Sequence, residues 1–156
     1  MPGACDGWCR LIESHGRLSL IEVLGPAIRL AEQGFPVSPI TADSWQSGVD
    51  RQLNQALGGR ELTIDGRAPR AGELFRNPGL SRTFQAVAAG GSAAFYQGGI
   101  GRAIAQVVQA AGGVLSESDL AEHHGDWVDP ISGPFRGYNV WEAPPNGQGL
   151  AVLLAL

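Results

Sequence analysis

The sequence predicts an α+β fold that is mainly helical, with a β segment late in the chain. Apolar residues recur at helical spacing over the first two thirds of the 156 residues, and glycines fall where those segments should end. Segments that begin at Ser19 and Ser116 carry the side chains that cap a helix. The stretch 127–142 is instead rich in aromatic and branched residues, with turn residues between them, which is typical of strands.

Two helices are predicted in the first 34 residues. Trp8–Ser14 forms a short helical stretch. Ser19 and Glu22 form a capping box, in which each side chain satisfies a free backbone N–H, and the helix that follows should end at Gly34. Gly25-Pro26 interrupts this helix, so we expect a kink or a restart there. The apolar residues at helical spacing are Leu20, Val23, Leu24, Ala27, Ile28 and Ala31.

The third predicted helix begins at Ser38-Pro39 and ends at Gly58-Gly59. After it, Asp65-Gly66 predicts a tight turn between short extended pieces. The residues expected to form the buried stripe of the helix are Ile40, Trp45, Val49, Leu53 and Leu57.

Three more helices are expected before the β segment. Asn77-Pro78 caps a helix that should end at Gly90-Gly91, and the next helix is predicted from Phe95-Tyr96 to Gly112-Gly113. Ser116–Asp119 caps a final helix of one or two turns.

The alternating residues 135–141 predict a strand, and the Pro-Pro-Asn-Gly sequence after it is turn chemistry. The leucines after Gly149 predict the first turns of a buried helix. An apolar run such as Ala151–Leu156 needs other chain to cover it, so we expect this sequence to be part of a larger protein.

Composition excludes several classes of function. A hydrophobic content of 44% and a charged content of 17% indicate a globular chain. The net charge of −4 and the absence of a basic cluster argue against nucleic acid as the main partner. No stretch approaches the roughly 18 apolar residues of a membrane span. All 11 basic residues are arginine, which excludes a Schiff-base lysine. The cellular location stays open.

Three local patterns suggest a ligand site, and each has a simpler alternative. Cys5 and Cys9, one helical turn apart, lack the further ligands that zinc needs, so two partly buried thiols are favoured. His123-His124 with Asp126 suggests a metal patch, but adjacent helical residues point in different directions, which favours solvated histidines. Gly99–Ile104 resembles half of a phosphate-binding loop and more simply starts a helix with close packing. We therefore expect no metal, no cofactor and no assembled catalytic group.

The order of motifs along the chain carries a family resemblance. The motifs are Pro2-Gly3-Ala4 with Asp6-Gly7-Trp8, His15–Leu18, Pro26–Val37, Phe95–Gly98, Gly112–Leu115 with Asp119-Leu120, and Pro144–Gly149. This series resembles the large-subunit region of the γ-glutamyltransferase (glutathione hydrolase) family, and it covers nearly all of residues 1–156. The Pro-Pro-Asn-Gly-Gln-Gly form is similar to the γ-glutamyltransferase-like and cephalosporin-acylase-like branch.

The resemblance implies an N-terminal-nucleophile hydrolase with a four-layer αββα sandwich. In that family a precursor cleaves itself, and the new N-terminal threonine of the small subunit attacks a γ-glutamyl or related amide. The α-amine of that threonine serves as general base, because its pKa near 8 suits neutral pH. The acyl group then passes to water or to an amino acid or peptide. The implied partners are a small-molecule γ-glutamyl or acyl-amide substrate and the small subunit of the same precursor.

The resemblance also places two parts of the family's chemistry outside this sequence. The nucleophilic threonine is expected beyond Leu156, and the arginine that binds the substrate carboxylate is expected before Pro2-Gly3. Thr41, Thr63 and Thr83 do not match the processing site. No catalytic residue is therefore assigned within the chain.

The Pro144–Gly149 loop supplies the candidate site residues. The side chains of Asn146 and Gln148 suit an amide or carboxylate ligand, and the alternative is a simple strand-to-helix turn. The function predicted is that of a fragment of a γ-glutamyl or related amide hydrolase or transferase, inactive alone. The alternative is a non-catalytic interaction module that pairs with a separate small subunit, suggested by the apolar run Leu150–Leu156.

Overall fold

The structure is a computed structural model that describes residues 2–145 and 147–156, and the chain divides into two compact units, 1–123 and 124–156. The first unit contains helices α1 (Ala4–His15), α2 (Leu20–Gln33), α3 (Pro39–Gly48), α4 (Pro78–Tyr96), α5 (Gly99–Ala110) and α6 (Glu117–Ala121), with strands β1 (Phe35–Pro36) and β2 (Leu74–Phe75). The second contains β3 (Ile131–Phe135), β4 (Tyr138–Glu142) and α7 (Gly149–Ala155). The mixed, helix-rich fold with small sheets is thus confirmed.

Helix α2 begins at the predicted capping box and ends at the predicted glycine. The Ser19 N–H donates to the Glu22 carboxylate at 2.8 Å, and the Glu22 N–H donates to the Ser19 hydroxyl at 3.3 Å. Of the kink or restart predicted at Gly25-Pro26, the restart is wrong, because α2 is one helix that contains the proline. Leu24 and Ala31, on either side of Pro26, are both buried, and this burial offsets the hydrogen bond that the proline cannot donate.

Helix α3 begins as predicted but ends earlier. The Ser38 hydroxyl accepts from the Thr41 N–H at 3.2 Å. After Gly48 the chain forms a π-helical turn, Val49–Leu53, and then leaves the helix. The wider π turn breaks the helical spacing on which the predicted stripe depends. Within that stripe Val49 is buried, but Leu57 is 65% exposed, and Ile40, in the first turn, is 83% exposed.

Glycines kink α4 and separate it from α5. The helix end predicted at Gly90-Gly91 is instead a kink within α4, where Gly91 has φ 62° and ψ −154°. The helix start predicted at Phe95-Tyr96 is wrong, because these residues form the last turn of α4 and α5 begins at Gly99. Gly98, with φ −109° and ψ −158°, is extended and separates the two helices.

The core of the first unit is built from five helices. The ring of Trp8 on α1 meets Phe84 on α4 edge-on, with centroids 6.4 Å apart, and α2 packs along α4. The buried residues of this cluster are Cys5, Leu24, Val87, Tyr96, Ala105 and Leu120.

A second, smaller group of contacts joins α3 to the sheet formed by β1 and β2, which pair antiparallel. The Trp45 ring meets the buried Phe75 ring edge-on, with centroids 4.6 Å apart. The Trp45 indole donates to the Leu62 carbonyl at 2.9 Å. This sheet was not predicted, because strands of two residues are too short to show alternation.

An ion pair holds the loop before β2. The predicted turn at Asp65-Gly66 is present, with φ values of 52° and 81°. Just after it, the Arg67 guanidinium donates two hydrogen bonds of 2.8 Å to the Glu73 carboxylate, which also accepts from the Arg70 N–H at 2.8 Å. These bonds, the Arg67 ones first, lower the pKa of Glu73 to about 2.

The second unit is an antiparallel hairpin covered on one face by α7. The single strand predicted over 135–141 is wrong, because Arg136-Gly137 forms a two-residue turn with φ values of 49° and 85°. Phe135 and Tyr138 pair and therefore share one face, so the turn shifts the period-2 alternation of a continuous strand by one position. The helix predicted after the loop is present as α7, and a Cβ on Gly133 would lie 3.6 Å from Leu153. Over the described parts of both units, no helix is long and apolar enough to cross a membrane.

Candidate functional site

The predicted pocket loop joins β4 to α7. Asn146 lies outside the described residues. Gln148 is the N-cap residue of α7, and its carbonyl accepts from the Val152 N–H at 3.0 Å. Its side chain is exposed and makes no capping hydrogen bond, so the amide is not used by the helix. A role for Gln148 in substrate binding stays a prediction.

The last residue of this loop, Gly149, lies where a side chain does not fit. It is the buried first residue of α7, and a Cβ there would lie 2.7 Å from the Glu142 Cβ and 2.8 Å from the Ala143 carbonyl. The end of β4 and the start of α7 therefore touch at a point where a side chain does not fit. These contacts of Gly149 with Glu142 and Ala143 are those expected at a tight strand-to-helix turn.

The three threonines have local hydrogen bonds. The hydroxyl of Thr41 lies 2.8 Å from the Ser38 hydroxyl, that of Thr63 donates to the Arg60 carbonyl at 2.8 Å, and that of Thr83 donates to the Gly79 carbonyl at 3.2 Å. An activated nucleophile needs a base within hydrogen-bond reach. The partners at these distances are hydroxyl and carbonyl oxygens, which are not activating bases.

The cysteines have the environment of partly buried thiols. Cys5 is buried and Cys9 is half-buried. Burial, with the neighbouring Cys9 as the second cause, raises the pKa of the Cys5 thiol to about 12, and burial also raises the pKa of Cys9. Because metals bind the thiolate, this environment disfavours a metal. Among the residues that the structure describes, no three His, Cys, Asp or Glu side chains group as metal ligands.

The adjacent histidines His123 and His124 lie in different environments. His123 is half-buried, and its ring centroid lies 4.9 Å from that of Tyr96. Its Nε2 atom is buried without a hydrogen-bond partner in the described part of the chain, close to Gly3. His124 is exposed, and its Nε2 lies 3.9 Å from the Asp126 carboxylate. The expectation of two solvated histidines is therefore wrong for His123.

A buried polar contact that the sequence did not predict fixes the start of α1. The Tyr96 hydroxyl donates to the Pro2 carbonyl at 2.7 Å and accepts from the Asp6 N–H at 3.2 Å. Asp6 is 5% exposed, and its carboxylate pairs with Arg10 at 2.7 Å. The spacing of Asp6 and Arg10 by four residues could have indicated this pair. Tyr96, about 90 residues further along, gives no such local indication.

The glycines at the start of α5 serve packing. Gly101 is buried, and a Cβ there would lie 2.5 Å from the Tyr96 carbonyl. This close approach supports the simpler of the two interpretations, a tightly packed helix start.

Comparison with known proteins extends over the whole chain. Residues 1–156 match the family model described as gamma-glutamyltranspeptidase. The glutathione hydrolase-like YwrD proenzyme of Bacillus subtilis is 35% identical over 156 residues, which are 100% of this chain and 30% of that proenzyme. The acylase ACY 1 proenzyme of Pseudomonas sp. strain SE83 is 34% identical over 146 residues, 93% of this chain and 26% of that proenzyme.

Two solved structures have the same fold over most of the chain. Cephalosporin acylase from Bacillus halodurans superposes with a TM-score of 0.89 at 40% identity, covering 96% of this chain and 29% of that one. Helicobacter pylori gamma-glutamyltranspeptidase superposes with a TM-score of 0.87 at 26% identity, covering 96% and 43%. The chain thus spans less than a third of the two curated relatives, and it belongs to the gamma-glutamyltranspeptidase family.

Proposed function

We propose that this chain is part of the large-subunit region of an amide hydrolase or acyl transferase similar to glutathione hydrolase. The full protein acts on a γ-glutamyl or related acyl amide, and the 156-residue chain is inactive alone. The observation that carries the proposal is the match of 156 and 146 residues of the chain to two proenzymes, of which they cover 30% and 26%.

Two features of the structure support the proposal. The hairpin and α7 suit a place at the edge of an αββα sandwich, in which a helical layer covers one face of a sheet. The three threonine hydroxyls bond to hydroxyl or carbonyl oxygens of their own segments, which supports a nucleophile supplied from elsewhere.

The first test measures the chain alone. The purified 156-residue protein should not release p-nitroaniline from γ-glutamyl-p-nitroanilide, because no activated nucleophile is proposed within it. The B. subtilis proenzyme is the positive control. Turnover that survives repeated purification and disappears in Thr41→Ala, Thr63→Ala or Thr83→Ala would overturn the proposal.

A second test restores the rest of the protein. In a chimera, this chain replaces the matched segment of the B. subtilis proenzyme. The chimera should cleave itself into two polypeptides and hydrolyse γ-glutamyl-p-nitroanilide. Loss of one hydrogen bond in Gln148→Ala should raise KM about tenfold, which corresponds to roughly 1.4 kcal/mol.

The matched control is Gln106→Ala, which removes an exposed glutamine amide on α5. It should leave KM unchanged. Equal KM values for the two variants would remove Gln148 from the substrate pocket. A self-cleaved chimera that hydrolyses neither this amide nor a glutaryl amide would count against the proposed reaction.

The second candidate function is a non-catalytic module that pairs with a separate small subunit. The observation that favours it is the apolar exposure of α7, where Leu154 is 80% and Leu150 45% exposed. Such a module would copurify with a small-subunit-like polypeptide when expressed in its own cells. Leu154→Glu should release that polypeptide.

A further inference from the structure

Helix α1 carries two thiols that the proposed function does not use. Cys5 is 4% exposed, and Cys9, one helical turn later, is half-buried. Side chains four positions apart on a helix lie on the same face, with Cβ atoms about 5–6 Å apart. The two thiols are close enough to form a hydrogen bond with each other. One atom placed between Cys5 and Cys9 can therefore bond to both sulfurs.

The surroundings of this pair disfavour an ordinary metal site. Structural zinc needs four ligands, and within residues 2–145 and 147–156 no three His, Cys, Asp or Glu side chains group as metal ligands. Burial, the largest cause, raises the pKa of both thiols, so the thiolates that a metal ion requires are disfavoured. A ligand that suits the pair needs only two sulfur atoms and leaves no charge in the site.

We propose that Cys5 and Cys9 form a binding site for trivalent organic arsenicals of the type R–As=O. The Cys9 sulfur bonds to arsenic first, and its proton moves to the arsenic-bound oxygen. The Cys5 sulfur then bonds to the same arsenic, while the As–OH bond breaks and the hydroxyl leaves with the Cys5 proton as water. Arsenic stays trivalent throughout, so no oxidant or reductant takes part. In the product, arsenic is held by two protein sulfurs and the group R, and it carries no net charge.

A cavity beside Cys9 has room for the group R. Its volume is about 440 Å³, and it is lined by residues of α1, the start of α2 and the kinked part of α4. Such a volume lies within the range of small-molecule sites. Ile12 and Leu20 supply apolar side chains that suit a phenyl ring. The kink at Gly91 contributes to this space, because the residue has no side chain and departs from helical backbone geometry.

The half-buried thiol gives the arsenical its entrance. Cys9 lines the cavity, whereas Cys5 belongs to the buried cluster with Val87 and Tyr96. An arsenical in the cavity therefore meets Cys9 first, and Cys5 closes the ring from the core side. All of these residues belong to the first unit, and the inference does not depend on the proposed function.

The test is a titration of the purified 156-residue chain, reduced with a phosphine, with phenylarsine oxide. Intact-mass measurement should show one phenylarsenic group per chain, bound with the loss of one water. The two free thiols should be lost together, and X-ray absorption at the arsenic edge should find two sulfur neighbours. Cys9→Ala should weaken binding about a hundredfold or more, because a second sulfur held on the same helix acts at high effective concentration.

The matched control keeps two thiols on α1 but moves one of them. In Gly7→Cys combined with Cys9→Ala, the thiols are two positions apart and do not face each other. Gly7 is exposed, and a Cβ there meets nothing within 4 Å outside its own helical turn, so circular dichroism should show an unchanged fold. This variant should bind as weakly as Cys9→Ala. The proposal is overturned by the absence of an adduct, by equal affinity in the unaltered chain and the control, or by an adduct that forms only in urea-unfolded protein.

Discussion

The two units of the chain differ in how much of their own surface they bury. Residues 1–123 contain the whole cluster of buried side chains contributed by α1, α2, α4, α5 and α6. Among the described residues of 124–156, only Gly149 is buried, although this unit carries exposed Trp127, Tyr138 and Trp141. Apolar burial is the main favourable term in folding. The difference indicates that the first unit stabilises itself and that the second depends on further contacts.

The largest expected effect on stability comes from comparing one leucine substitution in each unit. Leu120→Ala should lower the free energy of unfolding by about 2–5 kcal/mol, because it leaves a cavity at a side chain that is 0% exposed. Leu154→Ala, at 80% exposure, should change it by less than about 0.5 kcal/mol. Urea unfolding followed by circular dichroism measures both. Equal losses would contradict the comparison.

A smaller effect on stability is expected from removing the buried hydroxyl of Tyr96, with the exposed hydroxyl of Tyr138 as the control. Tyr96→Phe leaves the Pro2 carbonyl and the Asp6 N–H without this partner and should cost about 1–3 kcal/mol. Tyr138, which is 77% exposed, provides the control, and Tyr138→Phe should be neutral within about 0.5 kcal/mol. Thermal unfolding of both variants checks the pair. A neutral Tyr96→Phe would show that α1 is held by apolar packing alone.

The smallest effect is a dependence on pH in the first unit. Glu73 has a pKa lowered from 4.5 to about 2, so its pairing with Arg67 stabilises the fold above pH 4.5. This contribution is lost as the pH falls from 4.5 towards 2. Glu73→Gln should therefore weaken the protein at pH 7 and reduce the fall in the urea midpoint over that range. A fall as steep as in the unaltered chain would exclude this ion pair as a source of acid sensitivity.

The fold features predicted from sequence are those set by a few neighbouring residues. The capping boxes at Ser19 and Ser116 and the turn at Asp65-Gly66 each depend on contacts within three or four positions. The errors arose where the outcome depends on distant chain. Pro26 remains within α2, where residues on both sides of it are buried, and Ile40 on the first turn of α3 is exposed because the described residues of the chain leave it uncovered.

In the candidate site too, the features predicted from the sequence depend on neighbouring residues, and those that were missed depend on distant ones. The sequence of the Pro144–Gly149 loop indicates a turn before a helix, and the need for glycine at 149 follows from contacts with the nearby Glu142 and Ala143. The hydroxyl of Tyr96, in contrast, bonds to partners that lie 90 and 94 residues away along the chain. No local pattern predicts such a contact, because it results from the packing of α1 against α4.

The burial of Cys5 also makes the reactivity of its thiol a measure of local opening at α1. With a pKa of about 12, its thiol is almost entirely protonated at neutral pH and resists alkylating reagents in the folded chain. Each time α1 separates from α4, the thiol regains an ordinary pKa and reacts. The rate of iodoacetamide labelling at Cys5 therefore reports how often that helix leaves the core.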